Sequence, residues 1–393
     1  MVNFDSFPPW PCFSKEEIDA VTKVLLSNKV NYWTGDEGRK FENDFAKWAN
    51  VKYAIALANG TVALDLALKA LNISEGDDVI VTPRTFLASV SSIVNSGANP
   101  IFADIDLNSQ NITAKSIELV ITSKTKAIIV VHLAGMPAEM DEIMTLAKKH
   151  SIFVIEDCAQ AHGATYKGAS VGAIGHIGAW SFCQDKIMTT GGEGGMITTN
   201  DKFLYSKMWS YKDHGKSYEA VYEHEHSPGF RWLHESFGTN WRMTEMQAAI
   251  GRLQLKKMSE WTSVRQYNAG LLNKVLAKYK CIRLQNTPNY ISHAQYKYYA
   301  FVCHEYLKPG WSRDKIINAI NAEGAPCYHG SCPEVYMEKA FLDTPWRPKH
   351  RLSNAVELGE TSLMFLVHPT LLEEDMQTIC KKVDMVLTQA SYI

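Results

Sequence analysis

Short apolar runs alternate with longer segments of helical periodicity between about residues 50 and 200. The apolar runs are rich in β-branched residues and cover residues 53–57, 78–82, 100–103, 127–131 and 152–155. The helical segments cover residues 61–71, 85–97, 113–123 and 138–150. Because continuous apolar strands must be covered on both faces, this order predicts an α/β fold with a mostly parallel sheet.

After about residue 242 the pattern changes to a mixture of helices and strand-like runs, such as residues 298–302. A chain of 393 residues is long enough for more than one domain. We predict a large domain over residues 1–255 and a smaller α+β domain over residues 256–393.

Two capping boxes predict helix starts in the second part of the chain. Thr244 and Gln247 have the Thr-x-x-Gln spacing, which predicts a long helix that runs toward Tyr279 and joins the two domains. Thr370 and Glu373 have the same kind of spacing, which predicts a later helix.

The composition favours small-molecule partners. The net charge is -2, and lysine and arginine are scattered among acids, so we expect no nucleic-acid partner. The eight cysteines lack zinc-type spacing, so we expect no metal. The N-terminus has no basic region followed by an apolar core, and the longest apolar run is far too short to cross a bilayer. We therefore expect a cytoplasmic protein with no membrane partner.

Lys186 and Asp157 are the residues that indicate a chemistry. Lys186 follows the apolar residues 179–182 and precedes the glycine-rich residues 191–195, which predict a tight turn. A lysine that forms a Schiff base needs such partial burial. Asp157 ends a predicted parallel strand, where ligands gather and where a carboxylate can keep a pyridine nitrogen protonated. Together they indicate pyridoxal phosphate (PLP), although each alone is typical of a surface lysine or a helix cap.

Two further features fit the same cofactor. Gly60 and Thr61 lie between a strand and a helix, so amides of the first helical turn and the Thr61 hydroxyl could hold a phosphate. Phe86 lies at the start of the next helical segment and could stack on the cofactor ring. Without Lys186, these features would equally predict an ordinary turn and a core aromatic.

Several segments resemble the DegT/DnrJ/EryC1/StrS family of sugar aminotransferases, within the PLP aspartate-aminotransferase fold (fold type I). The matching motifs lie at residues 31–35 with 41–42, and at residues 58–64, 156–164, 181–186 and 238–244. Two differences from the family pattern are an extra glycine at Gly191–Gly192 and the residues at 183–185. Family members that dehydrate the sugar carry histidine at the position of Lys186, so lysine favours transamination.

The resemblance implies roles for individual residues. Lys186 would carry PLP, Asp157 would pair with its ring nitrogen, and Gln160 would lie beside its phenolic oxygen. Phe86 would stack on the ring. The phosphate would be held by Gly60, Thr61, Ser181 and, from the other subunit of a homodimer with its active site at the interface, Asn240.

The resemblance also implies a function. The expected reaction moves an amino group from L-glutamate to a nucleotide-linked 4-keto-6-deoxy sugar, for bacterial surface polysaccharide or a related glycan. Candidate substrate contacts are Trp33, Arg84, His329 and aromatic residues near Trp232.

Two other functions remain open from the sequence. One is a PLP-dependent lyase or cysteine desulfurase that uses Cys183 or Cys332 as a sulfur acceptor, which requires an exposed and mobile cysteine. The other is a non-catalytic PLP-binding regulator or scaffold, although a net charge of -2 does not favour DNA binding.

Overall fold

The computed structural model describes residues 7–392, so the first six residues of the predicted large domain and the last residue of the small one lie outside it. The strands are β1 (Tyr53–Leu57), β2 (Asp78–Val81), β3 (Asn99–Phe102), β4 (Thr125–Val131), β5 (Phe153–Asp157), β6 (Thr165–Tyr166), β7 (Ala169–Ser170), β8 (Ile177–Ser181), β9 (Gly195–Thr199), β10 (Ile282–Leu284), β11 (Ile291–Ser292), β12 (Tyr298–Val302), β13 (Cys327–Tyr328) and β14 (Ser362–Phe365). The α-helices are α1 (Lys15–Ser27), α2 (Glu37–Ala49), α3 (Gly60–Ala70), α4 (Ala88–Asn95), α5 (Ala114–Glu118), α6 (Met140–His150), α7 (Lys202–Lys212), α8 (Tyr218–Tyr222), α9 (Glu245–Leu276), α10 (Arg313–Ala322), α11 (Ser353–Thr361) and α12 (Glu373–Ala390).

The largest sheet has seven strands in the order β1-β9-β8-β5-β4-β2-β3. The pairs β2–β3, β2–β4, β4–β5 and β5–β8 are parallel, and β9 pairs antiparallel with both β1 and β8. The predicted α/β fold with a mostly parallel sheet is confirmed. The single reversed strand lies between two strands that share one direction.

Strand β4 shows why its sequence is apolar throughout. Ala127, Ile129 and Val131 belong to one hydrophobic core, whereas Ile128 and Val130 belong to another on the opposite face. All five side chains are buried because helices cover both faces of the sheet.

The C-terminal part contains an antiparallel sheet in the order β10-β12-β14-β13. Side chains from α10, α12 and the second half of α9 form a separate core with this sheet. The predicted α+β character of this part therefore agrees with the structure.

Helix α9 begins as predicted, because Thr244 and Gln247 form the capping box. Its residues up to Met258 pack with the large sheet, and its residues from Ala269 onward pack in the C-terminal core. The predicted domain boundary after residue 255 thus lies inside one continuous helix, and its position stays a prediction.

The second predicted capping box is wrong. Helix α12 begins at Glu373, and the side chain of Asp375 accepts a hydrogen bond from the Leu372 amide at its start. The Thr370 hydroxyl instead donates to the carbonyl of Pro9, at 3.0 Å. A contact with the N-terminal segment therefore replaces the local cap.

Two predicted helices are shorter than their sequence patterns. The segment predicted at residues 85–97 forms a helix only over Ala88–Asn95, and that predicted at residues 113–123 only over Ala114–Glu118. The first shortening leaves Thr85 and Phe86 on a loop beside the end of β2. Among the described residues, no helix has the length and apolar character needed to cross a bilayer.

Candidate active site

A cavity of about 930 Å³ lies at the carboxyl ends of β1, β4, β5 and β8. This is the edge at which α/β sheets bind ligands. The C-terminal part of the chain supplies another side of the cavity, including Tyr296, Lys297, Tyr299 and Cys332. The cavity therefore lies between the two parts of the molecule.

Seven of the predicted site residues line this one cavity. They come from separate stretches of sequence, and the parallel strand order brings them together: Gly60, Thr61, Phe86, Asp157, Gln160, Ser181 and Lys186. Their individual roles toward a cofactor stay predictions.

The turn between β1 and α3 forms a cradle with the end of β8. The Asn59 side chain caps α3 by accepting a hydrogen bond from the Val62 amide, at 3.0 Å. A β-carbon added at Gly60 would lie 2.5 Å from the β-carbon of Ser181. Glycine therefore lets the helix start and the strand end approach each other, which places first-turn amides and the Ser181 hydroxyl at the wall of the cavity. This arrangement fits a phosphate.

Asp157 ends β5 and is almost fully buried. Its carboxylate accepts hydrogen bonds from the Ser89 hydroxyl, at 2.8 Å, and from the Ala159 amide, at 3.1 Å. Burial raises the pKa of Asp157, while these two bonds and the nearby Lys186 amine oppose that rise. A cation beside this carboxylate would offset the cost of its burial, which is what a protonated ring nitrogen would provide.

Lys186 lies on the loop between β8 and β9. Its amide donates to the carbonyl of Cys183, and its own carbonyl accepts a hydrogen bond from the Trp10 indole nitrogen, at 2.8 Å. Its Nζ lies 5.4 Å from the centre of the Tyr296 ring. The backbone of Lys186 is thus held in place, while its side chain reaches the cavity.

Gln160 and Phe86 complete the wall. The Gln160 amide oxygen accepts a hydrogen bond from the Ala134 amide, at 2.8 Å, so its nitrogen is the group that it can offer to a ligand. Phe86 is 70% exposed, so the alternative that it belongs to the core is wrong. An aromatic ring on a cavity wall is available to stack on a planar ligand.

Four predicted residues do not line this cavity. Arg84 is fully buried and donates to Gln110 and Ser362, so the structure places it in the packing between the two parts of the chain. Trp33 packs beneath the Lys216 amine, which lies 4.0 Å from its ring centre. The remaining two residues, His329 and Asn240, are exposed. A ring nitrogen of His329 lies 3.2 Å from a carboxylate oxygen of Asp314.

Three residues of the site were not found from the sequence. Ser89, in the first turn of α4, donates a hydrogen bond to Asp157. The only sequence signal was its position four residues after Thr85, which would place both side chains on one face of the predicted helix. Tyr296 and Lys297 precede β12 and belong to the other part of the chain. No local pattern pairs them with Lys186.

The two candidate sulfur acceptors also line the cavity. Burial raises the pKa of Cys332, whereas a reactive cysteine needs a lowered thiol pKa. The Cys183 thiol lies 3.9 Å from a carboxylate oxygen of Glu193. Neither environment is one that activates a thiol for sulfur transfer.

His132, Glu156 and Cys158 form a buried group with atoms close enough to hold a metal ion. Glu156, however, already accepts hydrogen bonds from three amides within residues 172–175 and contacts His132 at 3.0 Å. The other ring nitrogen of His132 accepts from the Ala138 amide. The group is therefore a satisfied hydrogen-bond network beside the end of β5.

The residues present fit PLP. The cradle at Gly60 suits its phosphate, the buried carboxylate of Asp157 suits its protonated ring nitrogen, and Lys186 supplies an amine in the same cavity. The fold and this set of residues define an enzyme of the fold type I aminotransferase class.

Comparison with known proteins gives the family. The model of the DegT/DnrJ/EryC1/StrS aminotransferase family matches residues 11–384, and the chain belongs to this family. A GDP-perosamine synthase of Escherichia coli O157:H7 is 44% identical over 268 residues, which are 67% of this chain and 69% of the relative. A UDP-N-acetyl-3-dehydro-α-D-glucosamine 3-aminotransferase of Acidithiobacillus ferrooxidans is 34% identical, covering 93% of this chain and 92% of the relative. The solved aminotransferase of Psychrobacter cryohalolentis is 60% identical, with a TM-score of 0.96 over 97% of this chain and 99% of that one.

Substitution Gly60→Ala is expected to weaken PLP binding. The added methyl group would overlap Ser181, so the cradle must open and one or two phosphate hydrogen bonds are lost. We expect a dissociation constant about 10–100-fold higher, measured by absorbance titration of cofactor-stripped protein with PLP. Gly270→Ala is the control, because a β-carbon there meets open space on α9. Equal PLP affinity in both variants would refute the cradle.

His162 lies behind the site, buried between the rings of Trp180 and Phe182 at 5.2 and 5.6 Å. Both of its ring nitrogens lack a hydrogen-bond partner within residues 7–392. Burial, followed by the charges of Lys186 and Arg265, lowers its pKa from 6.5 to about 3. The folded protein therefore keeps this ring neutral at pH values where the unfolded chain protonates it.

Substitution His162→Phe is expected to reduce acid destabilisation. Between about pH 6.5 and 3, His162 is protonated in the unfolded chain but stays neutral in the folded protein. The free energy of unfolding therefore falls as the pH falls through this range. Phenylalanine cannot be protonated, so this difference in proton binding disappears. The slope of unfolding free energy against pH should therefore decrease by up to about 1.4 kcal/mol per pH unit. Urea unfolding between pH 5 and 7.5 measures the slope. His350→Phe, at an exposed histidine, is the control, and an unchanged slope in His162→Phe would contradict the burial argument.

Proposed function

We propose that this protein is a PLP-dependent aminotransferase that moves an amino group from L-glutamate to the keto carbon of a nucleotide-linked 4-keto-6-deoxy sugar. The observation that carries the proposal is the meeting of Lys186, Asp157 and the Gly60 cradle in one cavity. The names of relatives support the acceptor class, since two of them are named for GDP-linked or UDP-linked sugars. Its product would serve glycan synthesis in the cytoplasm.

When bound, PLP supplies an electron sink for the negative charge that develops at the reacting carbon. Asp157 would keep the ring nitrogen protonated, and Gly60, Thr61 and Ser181 would hold the phosphate. Lys186 would anchor the cofactor through its amine. Its Nζ would then take the proton from the α-carbon of the amino acid and, in the second half of the reaction, deliver a proton to the sugar carbon.

Both substrates would use the same cavity in turn, which makes the kinetics ping-pong. Glutamate alone should therefore change the absorbance of the bound cofactor, and a nucleotide keto-sugar should reverse that change. Mass spectrometry of reactions with a panel of UDP-, dTDP- and GDP-linked keto-sugars would identify the acceptor.

Substitution Lys186→Arg is expected to abolish transfer while leaving the fold intact. Arginine keeps the positive charge but cannot lose its proton, so both the covalent anchor and the proton transfer are lost. The rate of the glutamate half-reaction should fall by at least about 10²–10⁴-fold, measured by stopped-flow absorbance. Borohydride reduction and peptide mapping of the wild type should place the cofactor on Lys186.

The control variant is Lys167→Arg, because Lys167 is an exposed lysine paired with Asp141. It should retain the wild-type rate. A cofactor label on another lysine would contradict the assignment of Lys186. If glutamate, glutamine and aspartate all leave the wild-type absorbance unchanged, the proposed transamination is wrong.

We also propose a homodimer in which Asn240 reaches the phosphate of the partner's site. Asn240 is exposed and does not line the cavity of its own chain. The preceding segment exposes large apolar side chains, with Trp232 and Phe237 at 86% and 98% exposure. Exposed apolar groups of this size favour contact with another protein surface.

Complementation between two inactive variants tests the shared site. Lys186→Ala and Asn240→Ala should each have low activity. Co-expressed chains form mixed dimers in which one site has both residues intact, so about a quarter of wild-type activity should return. Steady-state assays on the co-purified chains measure this. Activity no greater than that of the separate variants would show that Asn240 does not act on a partner's site.

A further inference from the structure

A second cavity of about 390 Å³ lies next to the candidate active site. Asp185, Tyr296 and Lys297 line both cavities. The remaining wall of the smaller cavity includes Arg265 from α9 and Trp10 from the N-terminal segment. The three shared residues therefore form the boundary wall between the two cavities.

Arg265 is a buried cation without a counter-ion. Its side chain is 1% exposed, and it forms no ion pair with any described residue between 7 and 392. Only one of its nitrogens has a hydrogen-bond partner, the carbonyl of Tyr296 at 3.4 Å, whereas Nε and Nη2 have none in that part of the chain. The guanidinium lies 5.0 Å from the centre of the Trp10 ring. Fixed N–H donors of this kind suit a carboxylate.

Lys297 is a second cation at the same boundary. Its Nζ lies 4.7 Å from the centre of the Tyr296 ring, the ring that Lys186 approaches at 5.4 Å. Burial, opposed by Asp185 and reinforced by Arg265 and Lys186, lowers the pKa of Lys297 to about 8. It therefore remains largely protonated at neutral pH, in a setting where an added anion would be favourable.

Asp185, a carboxylate at this boundary, already accepts a hydrogen bond from Tyr296. Burial disfavours the ionised form of Asp185, but Lys186, a 2.5 Å hydrogen bond from the Tyr296 hydroxyl and Lys297 together lower its pKa. His368, which also lines the smaller cavity, has a pKa lowered by burial to about 3 and is neutral. The charges of Lys186 and Lys297 thus act on Asp185, whereas the Arg265 guanidinium has no carboxylate partner among residues 7–392.

We propose that Lys297 and Arg265 form a subsite that binds a carboxylate of the amino donor beside Lys186. The inference rests on the proposed aminotransferase function and specifies how the donor is held. A donor amino acid carries its amine and its carboxylates within one small molecule, so the amine can reach Lys186 while a carboxylate meets the two cations. Arg265 lines only the smaller cavity, to which the Gly60 cradle for the cofactor phosphate does not contribute.

Binding of glutarate to the PLP-loaded protein tests the subsite without turnover. Glutarate has both carboxylates of glutamate but no amine, so it cannot react. Heat of binding and the absorbance of the cofactor give its dissociation constant. Lys297→Met should weaken glutarate binding about 10–100-fold, as expected for loss of a charge-assisted hydrogen bond, and Lys297→Arg should restore most of it. Lys124→Met, which removes a charge from an exposed lysine, is the matched control.

A second binding series distinguishes a carboxylate from a phosphate. UDP and GDP should bind wild type and Lys297→Met equally, because the proposed subsite does not hold the nucleotide. In stopped-flow experiments, Lys297→Met should raise the glutamate concentration for half-maximal rate and leave the KM of the nucleotide sugar unchanged. Circular dichroism confirms that each variant folds. Arg265→Lys, which keeps the charge, should weaken glutarate binding less than Arg265→Met.

Three outcomes would overturn the inference. They are the absence of glutarate binding to the wild type, equal glutarate affinity in wild type and Lys297→Met, and loss of nucleotide rather than glutarate binding in Lys297→Met. A wild type that binds glutarate through Lys297 but reacts with no amino acid would instead refute the proposed function and leave the carboxylate subsite standing.

Discussion

The close packing of three backbone segments beside Gly60 is the constraint on which the site depends. Strand β9 runs between β1 and β8, and its first residue, Gly195, pairs with Leu57 on one side and Ser181 on the other. A β-carbon at Gly195 would lie 2.3 Å from the carbonyl oxygen of Asn59. Since only glycine permits this approach, the reversed strand can hold the start of α3 against the end of β8. The cradle is thus a consequence of the sheet order.

Buried charge is the second determinant of the site. Asp157 has its pKa raised by burial, and Arg265 has no counter-ion in the described chain, so both groups are costly in the protein alone. A core built only for stability would replace them with apolar side chains. Groups that violate local rules of burial are typical of functional sites, where a ligand supplies the missing partner. A cationic ring beside Asp157 and a carboxylate beside Arg265 would each complete such a pair.

The sequence was sufficient for the features that depend on local pattern. The apolar runs predicted the parallel strands, and the position of Asp157 at a strand end followed from the same pattern. The sequence did not predict side-chain partners that are set by contacts between distant parts of the chain. Thr370 bonds to Pro9 instead of capping a helix, and Arg84 is buried between the two parts of the chain. Lys297 is more than one hundred residues from Lys186, so only the folded chain brings both to one ring.

The N-terminal segment shows how a reactive lysine can combine a fixed backbone with a free side chain. Trp10 donates to the carbonyl of Lys186, packs edge-on against Trp261 of α9 and lies over the Arg265 guanidinium. Trp10 lines the smaller cavity and not the larger one, so these contacts hold the loop of Lys186 from outside the larger cavity. Because the hydrogen bond is made to the main chain, it does not restrict the Nζ atom, which must change partners during transfer. The same indole lies against the Arg265 guanidinium, so one residue contacts both the backbone of the proposed catalytic lysine and the proposed donor subsite.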